Sequence, residues 1–179
     1  IKATSKRISS VDVLSPSGRN RPERFNVVAQ LKTVVSGFEA RFQRHSVECD
    51  VLVDGAPAST QVFEVQLVRG LIAQVLENLL TNSVYWVQQG LKRGEELRHI
   101  VVELDTHSSV VMVTDNGPGI DPSHGESIFR PYFSMRKRGK GLGLYIVEYH
   151  GGKLYLDASG ETDGRLRTFV LELPREAEA

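Results

Sequence analysis

The sequence predicts a two-layer α/β sandwich, a mixed and mostly antiparallel sheet with about three helices on one face. Three observations predict it. Three segments carry apolar residues at helical spacing. The strand-like segments come in adjacent pairs between those helices. Strands and helices do not alternate one by one, which excludes a doubly wound nucleotide-binding fold. The chain has 179 residues, 40% apolar and 25% charged, enough for one core and unlike a disordered or fibrous composition.

Residues 1–25 read as an arm, because SPSGRNRPER is basic, interrupted by proline and glycine, and has little to bury. Residues 26–175 read as one domain and 176–179 as a tail. Asn26 is a candidate N-cap. Val27, Val28, Leu31, Val34, Val35, Phe38 and Phe42 follow at helical spacing and predict one helix to about His45. SVECDVLV (46–53) alternates as a strand does, DGAP (54–57) is turn chemistry, and QVFEVQ (61–66) suits a short strand. The strongest helix runs from about Val68 to Gln89, with Leu71, Ile72, Val75, Leu76, Leu79, Leu80 and Val84 in one broad apolar stripe. HIVVELD (99–105) and SVVMVTD (109–115) predict a hairpin. Residues 116–143 are rich in glycine and proline and show no periodicity, the mark of a functional loop. GLGLYIVEYH then predicts a helix stopped by Gly151-Gly152, and KLYLDAS and RLRTFVLELP predict two closing strands ended by Pro174.

Several function classes fall away. Lys+Arg and Asp+Glu are 22 each, so no global basic field for nucleic acid exists. The single cysteine, Cys49, can form neither an internal disulfide nor a cysteine-rich zinc site, and reads as a small core residue. No apolar run approaches the roughly 20 residues of a membrane span, and the N-terminus is not a signal peptide. The expected compartment is the cytoplasm. The chain begins at Ile1, so it reads as a fragment of a longer protein.

Three segments carry chemistry. Glu77-Asn78-Leu79-Leu80-Thr81-Asn82 places Asn78 and Asn82 on one face of the long helix. They are a solvated face, a buried amide pair, or the floor of a site whose amide oxygen takes a hard cation. Asp115-Asn116-Gly117-Pro118-Gly119-Ile120 sets a carboxylate at a strand end before glycines, either a plain turn or a pocket whose acid accepts from an exocyclic amino group. Gly139-Lys140-Gly141-Leu142-Gly143-Leu144 alternates glycine before a helix start, where free N–H groups attract phosphate. It lacks both the dinucleotide context and the ending of a P-loop.

In this order the three resemble the ATP-binding domain shared by sensor histidine kinases, type II topoisomerases, MutL proteins and the ninety-kilodalton heat-shock chaperones, the Bergerat or GHKL superfamily. The nearest resemblance is to the histidine kinase catalytic domain: ENLLTNS to its N box, DNGPGI to its first glycine box, IFRPYFS (128–134) to its F box, GKGLGLYIVEYHGG to its second glycine box. The resemblance implies ATP and Mg2+ as ligands. Asn82 would hold the metal, and Asn78 would help position metal or phosphate, where chaperones and topoisomerases carry a water-activating glutamate. Asp115 would accept from the adenine amino group. Gly117 and Gly119 would let the backbone pass the base, and Ile120 would pack on it. Phe129 and Phe133 would anchor a short lid. Gly139, Gly141 and Gly143 would line the phosphates, with Leu142 and Leu144 packing the helix.

Two departures stand out. Tyr85 and Trp86 occupy the places of a basic residue and a tyrosine after the metal-binding asparagine, leaving Lys140 or Arg136 to supply the charge. Leu166-Arg167 replace the Gly-Thr pair before the last strand. None of the five histidines is followed by Glu or Asp, so the phosphoacceptor would lie on a separate domain, with a response regulator as further partner. The expected activity is that of the catalytic half of a histidine kinase. The fragment would be a monomer within a homodimeric protein whose membrane anchoring stays open. The alternatives are an ATP-driven clamp of the MutL, topoisomerase or chaperone kind, and a degenerate nucleotide-binding scaffold.

Overall fold

The computed structural model describes residues 21–90, 97–136, 144, 153–159 and 163–174. The chain begins with β1 (Glu23–Asn26), then α1 (Val27–Ser36), α2 (Glu39–His45), β2 (Val47–Val53), β3 (Ala56–Pro57) and β4 (Glu64–Leu67). The long helix α3 (Arg69–Gly90) follows, then β5 (Arg98–Asp105), β6 (Val110–Asp115), two single 3-10 turns, β7 (Lys153–Leu156) and β8 (Thr168–Glu172).

Among the described residues, six strands form the main sheet in the order β3-β2-β5-β6-β8-β7, and β1 pairs with β4 in a separate two-stranded sheet. All pairings in the main sheet are antiparallel except β2 with β5. The fold is thus the predicted mixed, mostly antiparallel sandwich, with its pairing rearranged in one place. Segments 46–53 and 61–66, expected as neighbours, do not pair. The connection from β2 to β5 carries α3, and a crossover of that length returns the chain to the same end of the sheet, where only a parallel partner fits. The expected hairpin between β5 and β6 forms, its turn closed by Asp105 Oδ1, which accepts from His107 N at 2.8 Å and Ser108 N at 3.0 Å.

Two boundaries differ from the sequence expectation. The arm read over residues 1–25 ends in a strand: Glu23–Asn26 pairs with β4, and Phe25 is 3% exposed. The helix expected from Asn26 to His45 is two helices. Gly37 N closes α1 by donating to Thr33 O at 3.2 Å, Phe38 N donates to Val35 O at 2.9 Å, and α2 starts after Phe38. The break re-aims the last turn so that Phe38 and Phe42 both enter the core. Asn26 does cap α1, its Oδ1 accepting from Val28 N at 3.0 Å, and the same oxygen holds Phe63 N at 3.2 Å.

The core lies between the helices and one face of the sheet. Leu76, Leu79, Leu80 and Val87 of α3 and Leu31 of α1 are buried together with Ile100, Val102 and Leu104 of β5 and Val111 and Val113 of β6. Cys49 is part-buried against this core, and burial pushes its thiol up to about 12. Among the described residues, no helix is long and apolar enough to cross a membrane.

Candidate functional site

Register decides which way the strand-end acid faces. Ile100 pairs with Asp115, and Val102 with Val113, so Asp115 shares the helix-facing side of the sheet with three fully buried apolar residues. Facing it, α3 presents Asn78, Asn82 and Trp86 at steps of four, on one stripe of the helix. Between them is a cavity of about 320 Å³. Asn78, Asn82, Trp86 and Asp115 line it, Gly119, Ile120 and Ile128 continue the wall, and Phe133, Arg136 and Leu144 stand on the side of the long loop.

Asp115 is held by two donors. Ser83 Oγ donates to its Oδ2 at 2.7 Å and Gly117 N to its Oδ1 at 3.0 Å. Burial raises its carboxyl above the usual range, and these two hydrogen bonds and the charge of Arg167 pull the other way. Arg167 stands across from it, where Asp115 N donates to Arg167 O at 3.4 Å, and its Nε donates to Gly117 O at 3.0 Å. The arginine that replaces the expected Gly-Thr pair therefore ties β8 to the glycine turn.

The two glycines of that turn are required by the protein's own packing. A Cβ on Gly117 would stand 2.8 Å from Asp115 Oδ1 and 3.1 Å from the Trp86 carbonyl carbon. A Cβ on Gly119 would stand 2.7 Å from Arg165 Cβ, and its φ of +68° is one that glycine adopts without cost. The turn can thus lie close against α3 and the 165–167 strand end, to which Ile120 is bridged through Leu166.

The structure brings together Asn78, Asn82, Asp115, Gly119, Ile120 and Leu144 around one cavity. Gly117 is buried behind the turn rather than lining the cavity. Phe129 also stands outside the lining and packs edge-on against Phe169, ring centroids 6.3 Å apart, while Phe133 takes the cavity side. Tyr85 does not line it either. Its ring carries the Arg136 guanidinium 4.2 Å above it, and Arg136 Nη1 donates to Asn82 Oδ1 at 3.1 Å. Glu77 is exposed, off the stripe. Gly139, Lys140, Gly141, Leu142 and Gly143 lie outside the described residues.

Sequence reasoning missed Ser83, Thr81, Ile128 and Met135. Ser83 carried a signal, a hydroxyl inside the leucine-rich stretch of α3 that ends 1% exposed. Buried hydroxyls need partners, and the nearby strand-end carboxylate is the obvious one.

A family model described as histidine kinase-, DNA gyrase B- and HSP90-like ATPase matches residues 68–177. The C4-dicarboxylate transport sensor protein DctS of Rhodobacter capsulatus is 34% identical over 138 residues, 74% of this chain and 19% of that protein. The sensor histidine kinase ZraS of Salmonella typhimurium is 35% identical over 108 residues, 58% of this chain and 22% of that protein. The chain thus spans about a fifth of the length of these curated relatives. Among solved structures, the nucleotide-free catalytic domain of histidine kinase ThkA superposes with a TM-score of 0.66 at 25% identity, covering 86% of this chain and 95% of that one. A complex of ThkA with the response regulator protein TrrA shares the fold, with a TM-score of 0.62 at 23% identity over 87% of this chain and 42% of that one. The order of the asparagine, aspartate and glycine segments along the chain, the meeting of the first two around one cavity and these likenesses converge: the chain belongs to the histidine kinase-, DNA gyrase B- and HSP90-like ATPases, as a catalytic domain of the sensor histidine kinase kind.

Proposed function

We propose that this chain binds ATP with magnesium and transfers the γ-phosphoryl group to a histidine on a separate acceptor domain. The observation that carries the reading is the pairing across one cavity of Asp115, oriented by Ser83 and Gly117, with Asn78 and Asn82. Asp115 would accept from the adenine amino group, and Ile120 would pack on the ring. Asn82 Oδ1 suits a hard cation, since it is an oxygen donor that already accepts from a cationic guanidinium. Asn82 would hold magnesium with the phosphates, Asn78 assisting, and the ion would neutralise charge on the phosphate oxygens. Gly139, Gly141 and Gly143 would line the phosphates, with Lys140 adding charge and Leu142 and Leu144 packing the helix.

In the transfer, an imidazole nitrogen forms the bond to phosphorus and the bond from phosphorus to the β-phosphate oxygen breaks. ADP leaves, and the imidazole N–H proton passes to solvent. The protein's contribution is positioning and charge neutralisation. Asn78 and an exposed Glu77 favour this over hydrolysis, because neither sets a carboxylate against a water in the cavity. The solved complex of ThkA with TrrA supports a response regulator as the next phosphoryl acceptor. Cytoplasmic exposure and homodimerisation through the acceptor helices belong to the same reading.

Calorimetric titration with magnesium and a non-hydrolysable ATP analogue, on wild type and Asp115→Asn, tests the binding half. Saturable binding that the variant loses is expected. A folded wild type that binds nothing would sink the reading. Phosphorylation of an added acceptor-helix domain tests the transfer half.

A further inference from the structure

Arg136 makes two contacts that the proposed reaction does not require. Its guanidinium lies 4.2 Å above the Tyr85 ring and donates from Nη1 to Asn82 Oδ1 at 3.1 Å. The Tyr85 ring is in turn set edge-on against Trp86, with centroids 4.9 Å apart and planes at 84°. The backbone at Arg136 is placed by a local turn, in which its N–H donates to Ser134 Oγ at 3.2 Å. Both aromatic residues stand on α3, whereas Arg136 comes from the loop after β6, 54 residues away from Asn82 in sequence.

A guanidinium cannot be deprotonated and offers its donors in a rigid fork, so it competes with a metal ion for an amide oxygen. We propose that Arg136 is the resident cation of Asn82: seated on Tyr85, it holds the amide oxygen while no nucleotide is bound, and a divalent ion enters only as Arg136 releases it. The proposal rests on the reading of Asn82 as the metal-binding residue. Tyr85 is then a positioning residue, supplying the π-face on which the guanidinium rests. The released guanidinium, still tethered beside the cavity, is placed to meet the phosphate oxygens that arrive with the ion.

The test is a manganese titration of the nucleotide-free chain, followed through paramagnetic broadening of the Asn82 side-chain amide signal, assigned with Asn82→Ser. In Arg136→Met, the concentration that half-broadens the signal should fall at least threefold below wild type. Tyr85→Leu should lower it as well, and Tyr85→Phe, which keeps the ring, should match wild type. Arg130→Met removes an exposed arginine from the same loop and should leave the value where it was, which separates exchange at Asn82 from a general change of charge. Equal values in wild type and Arg136→Met overturn the proposal, as does an Asn82 signal that manganese broadens in neither. Because no nucleotide is present, a chain that fails to bind ATP defeats the functional reading without altering this outcome.

Discussion

Asp115 combines a requirement and a cost. Accepting from an amino group requires the carboxylate, yet burial raises its pKa. Nucleotide affinity should therefore fall on acidification at a pH above the ordinary aspartate range, and calorimetry across pH 4 to 8 checks it. Removing Ser83 Oγ, which donates at 2.7 Å, takes away one of the donors that steady the carboxylate. Ser83→Ala should move that loss to higher pH and weaken binding at neutral pH by roughly 10- to 150-fold, the worth of about 1.5–3 kcal/mol for a hydrogen bond to a charged group. The same shift bears on folding. A carboxyl raised in the folded state favours folding at low pH, and that contribution is lost as pH rises from the unfolded pKa, about 3.9, through the higher folded one. Asp54, Asp105 and Asp121 behave oppositely. Backbone and hydroxyl donors from Thr106, Ser108 and Ser123 hold their carboxyls below the usual range, so their contribution is present above about pH 3.9 and is lost below it. Gly119→Ala adds a Cβ at 2.7 Å from Arg165 Cβ on a φ of +68°. It should lower stability by about 1–2 kcal/mol from backbone strain alone, read from urea unfolding.

At the scale of the element, α3 is both the centre of the core and one wall of the cavity. Its two faces separate cleanly, with Leu76, Leu79, Leu80 and Val87 buried and Asn78, Asn82 and Trp86 on the cavity. Leu80→Ala should cost about 2–5 kcal/mol in chemical denaturation, the range for a leucine truncated inside a packed core. Those faces were legible because the helical period is local and runs unbroken through the segment. The other amphipathic helix was not read correctly. Its apolar spacing continues across Gly37, but the chain turns there because Phe38 and Phe42 reach the core only from a second axis. A period alone cannot report a break that keeps phase. The short strand Glu23–Asn26 was hidden for a related reason: one buried phenylalanine among arginines makes no pattern.

At the scale of the molecule, the chain spans about a fifth of its curated relatives, and its proposed reaction needs a histidine brought to it. Incubated alone with labelled ATP and magnesium, the chain should incorporate no phosphoryl group. Adding an acceptor-helix domain should permit transfer, scored by acid-labile labelling of that domain. Steady hydrolysis by the isolated chain that Glu77→Ala abolishes would instead indicate a clamp. What the sequence by itself determined is the list of local things: the leucine stripe of α3, the hairpin of β5 and β6, the strand-end acid and its glycines, and their order along the chain. Those are set by periodicity, turn chemistry and neighbours a few residues apart. Only the tertiary structure decided that β2 lies parallel to β5, that Ser83 and Arg167 converge on Asp115 and the glycine turn, and that Arg136 sits on Tyr85 and Asn82. Each joins residues tens of positions apart, and their partners are chosen by which surfaces the packed core leaves facing one another.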